Sequence, residues 1–327
     1  MRRIDRRVAA LGLLGAALWL AQTAPSHSET WPSRAVTLVV PFSAGTTSDV
    51  VARRLAHELS EKLGQPFVVE NKGGAGGNIG AMTVARATAD GYTLLFATTG
   101  QAATNQLMYK HMEYAPQRDF APIVLVSKAP VIITARPDAP YSSLKEFIAY
   151  AKANPNKATG GFPGNGTLGH ITGLLLSGKA GIEFGKVQYR GSAAILTDLI
   201  GSHIDIAMDS LAGYVPSVRA GKIKALAITS SQRWSKLPDI PTAAESGLPG
   251  FEASVWYALL APAKVPADVI DKVNAAANTW LKDPQTREFL ANLGVETAGG
   301  SPADLKAFTQ AEIDKWGPIV KAANISF

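Results

Sequence analysis

Three short stretches carry residue types that can hold an anion without a dedicated charge. They are Pro41-Phe-Ser-Ala-Gly-Thr-Thr-Ser-Asp49, Gly164-Asn-Gly-Thr-Leu-Gly-His170 and Tyr189-Arg-Gly-Ser-Ala193. In each, small and hydroxyl residues stand between a strand-like apolar run and a helical pattern. The first amides of a helix have no intrahelical acceptor, and the helix dipole adds positive potential there, so such junctions favour anions. Glycine lets a ligand approach the backbone. The hydroxyls of Ser43, Thr46, Thr47, Thr167 and Ser192 can add donors. One such loop reads equally well as an ordinary capped turn. Three of them, each at the C-terminal end of a strand, point to a shared cleft.

Other residues stand beside these loops as candidates. His170 is next to the second loop, where it caps the helix, touches ligand or packs. Asp209, at a strand end, is a turn former or a polar cleft residue. Both are carried as candidate ligand contacts. Asp49 is simplest as a helix cap or first-turn acid. The run Gly73-Gly-Ala-Gly-Gly-Asn-Ile-Gly80 matches neither the dinucleotide nor the P-loop pattern, so it is expected to be a structural turn, in a position to flank the cleft. Trp256 and Tyr257 are expected as core or hinge packing, not cleft wall.

Catalytic chemistry finds little support. There is no Gly-x-Ser-x-Gly elbow, no His-x-x-x-His pair and no cysteine. The expectation is therefore a binding protein that is not an enzyme, with no cofactor and no metal. An exported hydrolase stays as the rival class.

The elements that position these loops alternate between strand and helix patterns, which argues for an α/β fold with mostly parallel sheets. Strands are expected at 35–41, 67–69, 93–98, 121–126, 131–135, 187–189, 204–208 and 225–228. Helices are expected after Asp49 up to Gly64, at 81–87, from a Ser143 cap to Ala153, from Thr167 on, from a Ser192 cap over Ala193–Ile200, at 211–220, and in two tail segments, 267–282 and 302–324. Gly160-Gly161 reads as a turn, and the Pro- and Gly-rich stretch 233–250 as an irregular return between lobes.

The N-terminus has its own pattern. Arg2, Arg3, Arg6 and Arg7 precede an apolar run from Val8 to Ala21 and then small residues. This is the build of a secretory signal over residues 1–26, with an uncleaved anchor as the alternative. Those residues carry a net +3, which leaves +3 of the formal +6 for the remainder. That small excess does not make a nucleic-acid footprint. At 327 residues the length suits about two domains.

Several stretches together resemble the substrate-binding receptors of tripartite tricarboxylate transporters, the Bug-type receptors among them. They are Val39-Val-Pro-Phe, Val69-Glu-Asn-Lys-Gly-Gly-Ala-Gly-Gly-Asn-Ile-Gly-Ala81, Asp90-Gly-Tyr-Thr-Leu, Gly164-Asn-Gly-Thr, Tyr189-Arg-Gly-Ser and Leu237-Pro-Asp-Ile-Pro-Thr-Ala-Ala-Glu-Ser-Gly-Leu-Pro-Gly-Phe251. The resemblance implies a periplasmic, two-lobed binding protein of the type II, Venus-flytrap class, with crossing hinge strands. The lobes would be 27–128 with 250–327, and 129–249. It implies a monomer that binds a small aliphatic or aromatic carboxylate and docks to membrane permease subunits, or else serves a sensor.

The resemblance also places the ligand. Phe42, Ser43, Ala44, Gly45, Thr46 and Thr47 would hold a carboxylate, beside Thr98, Thr99 and Gly100. Asn165, Gly166 and Thr167, with Tyr189, Arg190, Gly191, Ser192 and Ala193, would close over it. Family members commonly carry Pro-Phe-x-Pro-Gly-Gly in the first loop; here a Pro is lost and Thr46 takes the second Gly position.

Overall fold

A computed structural model describes residues 30–164, 167–234, 236–322 and 326. The expected signal at 1–26 and the pair Asn165-Gly166 lie outside the described residues. Residues 34–327 form one unit, which holds every described strand and helix. Among the described residues no helix is long and apolar enough to cross a membrane.

The first strand, β1 (Val36–Val40), is almost wholly buried, as suits the middle of a parallel sheet. Helix α1 (Thr47–Leu63) buries Val51, Leu55 and Leu59 on one face and stops at Gly64, whose φ of +74° is left-handed. Strand β2 (Phe67–Asn71), helix α2 (Asn78–Ala85) and strand β3 (Thr93–Thr98) follow, with β2 and β3 parallel to β1 on either side. A single turn, α3 (Pro116–Asp119), leads into β4 (Phe120–Ala135).

Strand β4 has 16 residues. At about 3.3 Å per residue it spans roughly 50 Å. The local pattern predicts two strands here because Ser127-Lys128-Ala129-Pro130 interrupts the β-branched run. The chain instead runs straight through, and register shifts between Pro122 and Val124 and between Leu125 and Ser127 absorb the misfit.

The second half alternates α4 (Leu144–Ala153), β5 (Thr159–Phe162), α5 (Leu168–Ala180), β6 (Gly185–Gln188), α6 (Ser192–Ile200), β7 (Ile206–Ser210), α7 (Val215–Arg219) and β8 (Lys224–Ile228). Strands β6, β5 and β7 are mutually parallel. Both β7 and β8 pair antiparallel with β4, over residues 131–135 and 132–135. Gly160-Gly161 lies inside β5 rather than in a turn. A Cβ on Gly161 would stand 2.6 Å from Ile204 and 2.9 Å from Ile195, so close packing explains the glycine.

The chain then returns through β9 (Ser254–Pro262), antiparallel to both β3 and β4. The tail forms α8 (Ala267–Lys282), α9 (Pro284–Asn292), β10 (Glu296–Thr297) and α10 (Pro302–Ala322). Helix α9 is an addition to the two expected tail helices. Its signal was Asp283, whose carboxylate accepts from the Thr286 amide at 2.8 Å, followed by Pro284 at the first helical position.

The result is two α/β lobes on one curled, mixed sheet. The outer pairs of each half are parallel. The long strands β4 and β9 join antiparallel where the chain crosses. Leu95, Ala97, Ala258 and Leu305 belong to a core of the first half. The second half is packed on both sheet faces, by Phe147, Phe162, Ile171 and Met208 on one and by Ile132, Ile195, Leu199 and Tyr214 on the other.

Candidate functional site

The strand ends of both halves open onto one cavity of about 80 Å³. On the same measure a single water takes roughly 10–15 Å³, so the space suits a group of a few carbons and polar atoms.

The loop after β1 builds the first wall. Thr46 is the N-cap of α1: its hydroxyl accepts from the Asp49 amide at 3.4 Å and donates to the Ser43 carbonyl at 2.9 Å. Its proton being used there, Ser48 donates in their 3.0 Å hydroxyl contact. Asp49 is buried and accepts from the Gly45 amide at 2.9 Å, from Asn71 at 2.9 Å and from Arg53 Nε at 3.1 Å. Burial alone would raise its pKa, but the bonds from Arg53, Gly45 and Asn71 outweigh it and hold the carboxyl below its ordinary value.

The loop is thus tied to itself. Phe42, Thr46, Thr47 and Ser48 line the cavity, whereas Ser43, Ala44 and Gly45 are exposed and outside the lining. The Thr46 hydroxyl acts as a cap. Thr46→Ala is expected to cost about 1 kcal/mol, seen as a fall of a few degrees in Tm, and Thr46→Ser is expected to restore it. Unchanged unfolding of the alanine variant would mean that the hydroxyl does not cap the helix.

At the end of β3, Thr98 donates through both its amide and its hydroxyl to Gln101 Oε1, each at 2.9 Å. Gln101 in turn donates to the Gly76 carbonyl at 2.6 Å. The Thr99 hydroxyl accepts from the Trp256 amide at 3.0 Å. Thr98, Thr99, Gly100, Gln101 and Gly76 all line the cavity. The glycine run is therefore a structural turn with one residue in the wall. Gln101, which draws it there, was not anticipated; a glutamine just past a strand end carries no distinctive sequence signal.

The second half supplies the opposite wall. Thr167 caps α5, donating to the Gly164 carbonyl at 2.8 Å and accepting from the His170 amide at 3.4 Å. The first-turn residues Leu168 and Gly169 line the cavity with Thr167 and Pro163. His170 is outside the lining. It is buried edge-to-face against Phe162, with ring centroids 5.7 Å apart. Burial, helped by Lys186, pushes its pKa down to about 4.

Tyr189 donates to Asp198 at 2.6 Å and is not in the wall, and Ala193 is exposed beyond it. Arg190, Gly191 and Ser192 do line it. The cap position of α6 belongs to Gly191, and Ser192, expected as the cap, is the first helical residue.

Asp209, Ser210, Val255 and Tyr257 complete the wall. Asp209 ends β7, where its Oδ1 accepts from the Ser210 amide at 2.7 Å. Its Oδ2 is buried with no hydrogen-bond partner. Burial raises its pKa to about 6, against the lowering influence of Ser192, the Ser210 amide and Tyr214 nearby.

Tyr257 corrects the expectation of core or hinge packing, because it lines the cavity. Along β9 side chains alternate, so Trp256 turns into the core of the first half while Tyr257 faces the cavity, stacked on Phe96 at 5.8 Å. Burial drives its phenol upward, with the hydroxyls of Ser210 and Thr47 acting the other way. Ser210 Oγ lies beside it without meeting hydrogen-bond geometry.

Among the described lining residues Arg190 is the cation and Asp209 the acid; the other polar groups are amides, hydroxyls and one carboxamide. The cavity can therefore hold an anion through neutral donors. A separate trio, His57, Glu58 and Glu61, brings three metal-capable atoms within 4.8 Å of one another on α1, outside the cavity.

Residues 51–325 match the family described as tripartite tricarboxylate transporter family receptor. A protein from R. palustris solved with adipate is 38% identical, covers 91% of this chain and 100% of its own, and superposes with a TM-score of 0.88. The periplasmic binding protein BugD is 37% identical over 91% of this chain and 100% of its own, with a TM-score of 0.85. MatC from Rhodopseudomonas palustris, solved with bound malate, is 34% identical over 89% and 100%, with a TM-score of 0.84. This chain belongs to the tripartite tricarboxylate transporter receptor family.

Proposed function

We propose that the protein is a periplasmic receptor that captures a small organic acid in this cavity for uptake through the membrane subunits of a tripartite transporter. One observation carries the reading: the first turns of α1 and α5 meet the same small cavity from opposite walls, through Thr47 and Ser48 and through Leu168 and Gly169. Amides at a helix start suit a carboxylate. Two of them, one from each half, suit an acid with polar groups at both ends. The adipate and malate carried by the two relatives are acids of this kind.

On this reading 27–128 with 250–327 forms one lobe and 129–249 the other, and the lined residues of both close on the ligand. Closure is then driven by contacts made only in the closed state. The protein works as a monomeric carrier and binds without converting its ligand.

The test is a thermal-shift screen of the exported protein against mono-, di- and tricarboxylates, amino acids and aromatic acids, with the matched amides as controls. An acid at 100 times its Kd should stabilise by about 2.7 kcal/mol, a shift of several degrees, and its amide should not. Folded, ligand-free protein that responds to no acid would sink the reading.

A further inference from the structure

A cavity that holds an acid through neutral donors still carries one fixed positive charge. Arg190 lines it and is exposed to solvent, so it stands at the opening. The acids that follow it in the chain are spent elsewhere. Asp198 accepts from Tyr189 at 2.6 Å and meets His203 at 3.4 Å, and Asp205 pairs with Arg136 at 2.9 Å. Asp209, in the same wall, is 6% exposed and accepts from the Ser210 amide. Among the described residues no acid pairs with Arg190. A guanidinium is charged at every working pH, and its planar fork of donors matches a carboxylate.

The place of Arg190 in the fold adds to this. It leads into α6, whose cap position is Gly191, with no side-chain bond to the first turn. The starts of α1 and α5, by contrast, are capped by the hydroxyls of Thr46 and Thr167. The first amides of α6 therefore add positive potential beside the guanidinium. Phe42, Pro163, Leu168 and Val255 also line the cavity and offer apolar surface to a short carbon chain.

We propose that Arg190 is the specificity-determining residue of the cavity: it receives the second carboxylate of a short-chain dicarboxylate, and so selects diacids over acids of the same length whose far end is neutral. This rests on the reading that the cavity binds small acids, and it narrows the far end of the ligand from polar to anionic.

A hydrogen bond to a charged group is commonly worth about tenfold or more in affinity. Solvent weakens an exposed ion pair, so the lower end of that range applies here.

The experiment is titration calorimetry on the exported protein at pH 8, where every ligand carboxyl is ionised. The ligands are succinate, glutarate and adipate, each against its monoamide and against the alkanoate of the same chain length. In low salt the best diacid should bind about tenfold more tightly than its monoamide. Arg190→Gln should bring that ratio to threefold or less, chiefly by weakening the diacid. Raising NaCl from about 0.02 M to about 0.5 M should lower the wild-type ratio, because salt screens an exposed pair, and should leave that of Arg190→Gln level.

A wild-type ratio of threefold or less in low salt, or a ratio untouched by Arg190→Gln, overturns the proposal while the receptor reading stands. Should the variant not fold, the wild-type salt profile decides, and a ratio unchanged by salt overturns it. If none of the nine acids binds, the proposal falls, and the wider screen of acids decides whether the receptor reading falls with it.

Discussion

Gly169→Ala should weaken acid binding by tenfold or more and lower Tm by several degrees, whereas Gly178→Ala, nine residues further along the same helix, should be neutral or slightly stabilising. The two glycines differ in what a methyl group would meet and in their distance along α5 from the cavity-lining first turn. At Gly169 a Cβ would stand 2.3 Å from the Met208 carbonyl oxygen and 3.0 Å from Pro163 Cδ. The first contact is with the backbone of β7 and cannot be relieved by turning a side chain. The start of α5 must move away from the sheet instead, and overpacking of this kind costs typically 1–3 kcal/mol.

The displaced segment is the one that lines the cavity with Thr167, Leu168 and Gly169. Displacement of the first-turn amides removes them from a bound carboxylate. At Gly178 nothing lies within 4 Å. There alanine only improves helix propensity, worth about 0.5–1 kcal/mol. Thermal unfolding of both variants, with and without the best acid from the screen, gives the answer. Equal behaviour of the two would mean that the close approach of α5 to β7 does not govern the site.

The second large effect belongs to Glu312, which is outside the cavity lining. Its Oε2 accepts from the indole of Trp256 at 3.1 Å and from that of Trp316 at 3.2 Å, and its Oε1 meets Lys315 at 3.1 Å. Trp256 lies in the core of the first half and Trp316 in that of the second. One carboxylate on α10 thus joins the crossing strand β9 to both halves.

Glu312→Ala strands two buried indole N–H groups, each worth about 1–3 kcal/mol when unsatisfied. The expected loss is about 2–5 kcal/mol, read as a fall in Tm on the order of 5–15 °C. Glu312→Gln keeps an acceptor for both indoles and gives up only the half-exposed Lys315 pair, which should cost about 1 kcal/mol or less. If the alanine and glutamine variants unfold together, the indole bonds are not what holds α10 in place.

The fold was legible wherever a local signal marks an element. Helix α4 begins after Ser143, whose hydroxyl accepts from the Glu146 amide, and α1 ends at Gly64, so both boundaries stand in the sequence. It was misread where long-range packing overrides local preference. The continuity of β4 through Lys128, Ala129 and Pro130 depends on pairing with β9, whose partner residues lie more than a hundred positions later. The place of Gly160 and Gly161 inside β5 depends on side chains from Phe184, Ile195 and Ile204.

The site divides along the same line. Residue type and spacing by themselves determined that three βα junctions rich in small and hydroxyl residues would favour an anion, because helix starts and glycine loops are local features. Which residue of each loop faces the cavity was a tertiary decision. Thr47 lines it and Ser43 does not, because the Gly45 amide and the Ser43 carbonyl are drawn back onto Asp49 and Thr46. Gln101 and Tyr257 entered the wall without a local mark, one through its bond to the Gly76 carbonyl in the glycine turn and the other by stacking on Phe96 of β3. Asp209 was visible as a strand-end acid. Its buried, unpartnered oxygen arose only when the sheet closed around it, since desolvation is a property of the assembled fold and not of any stretch of chain.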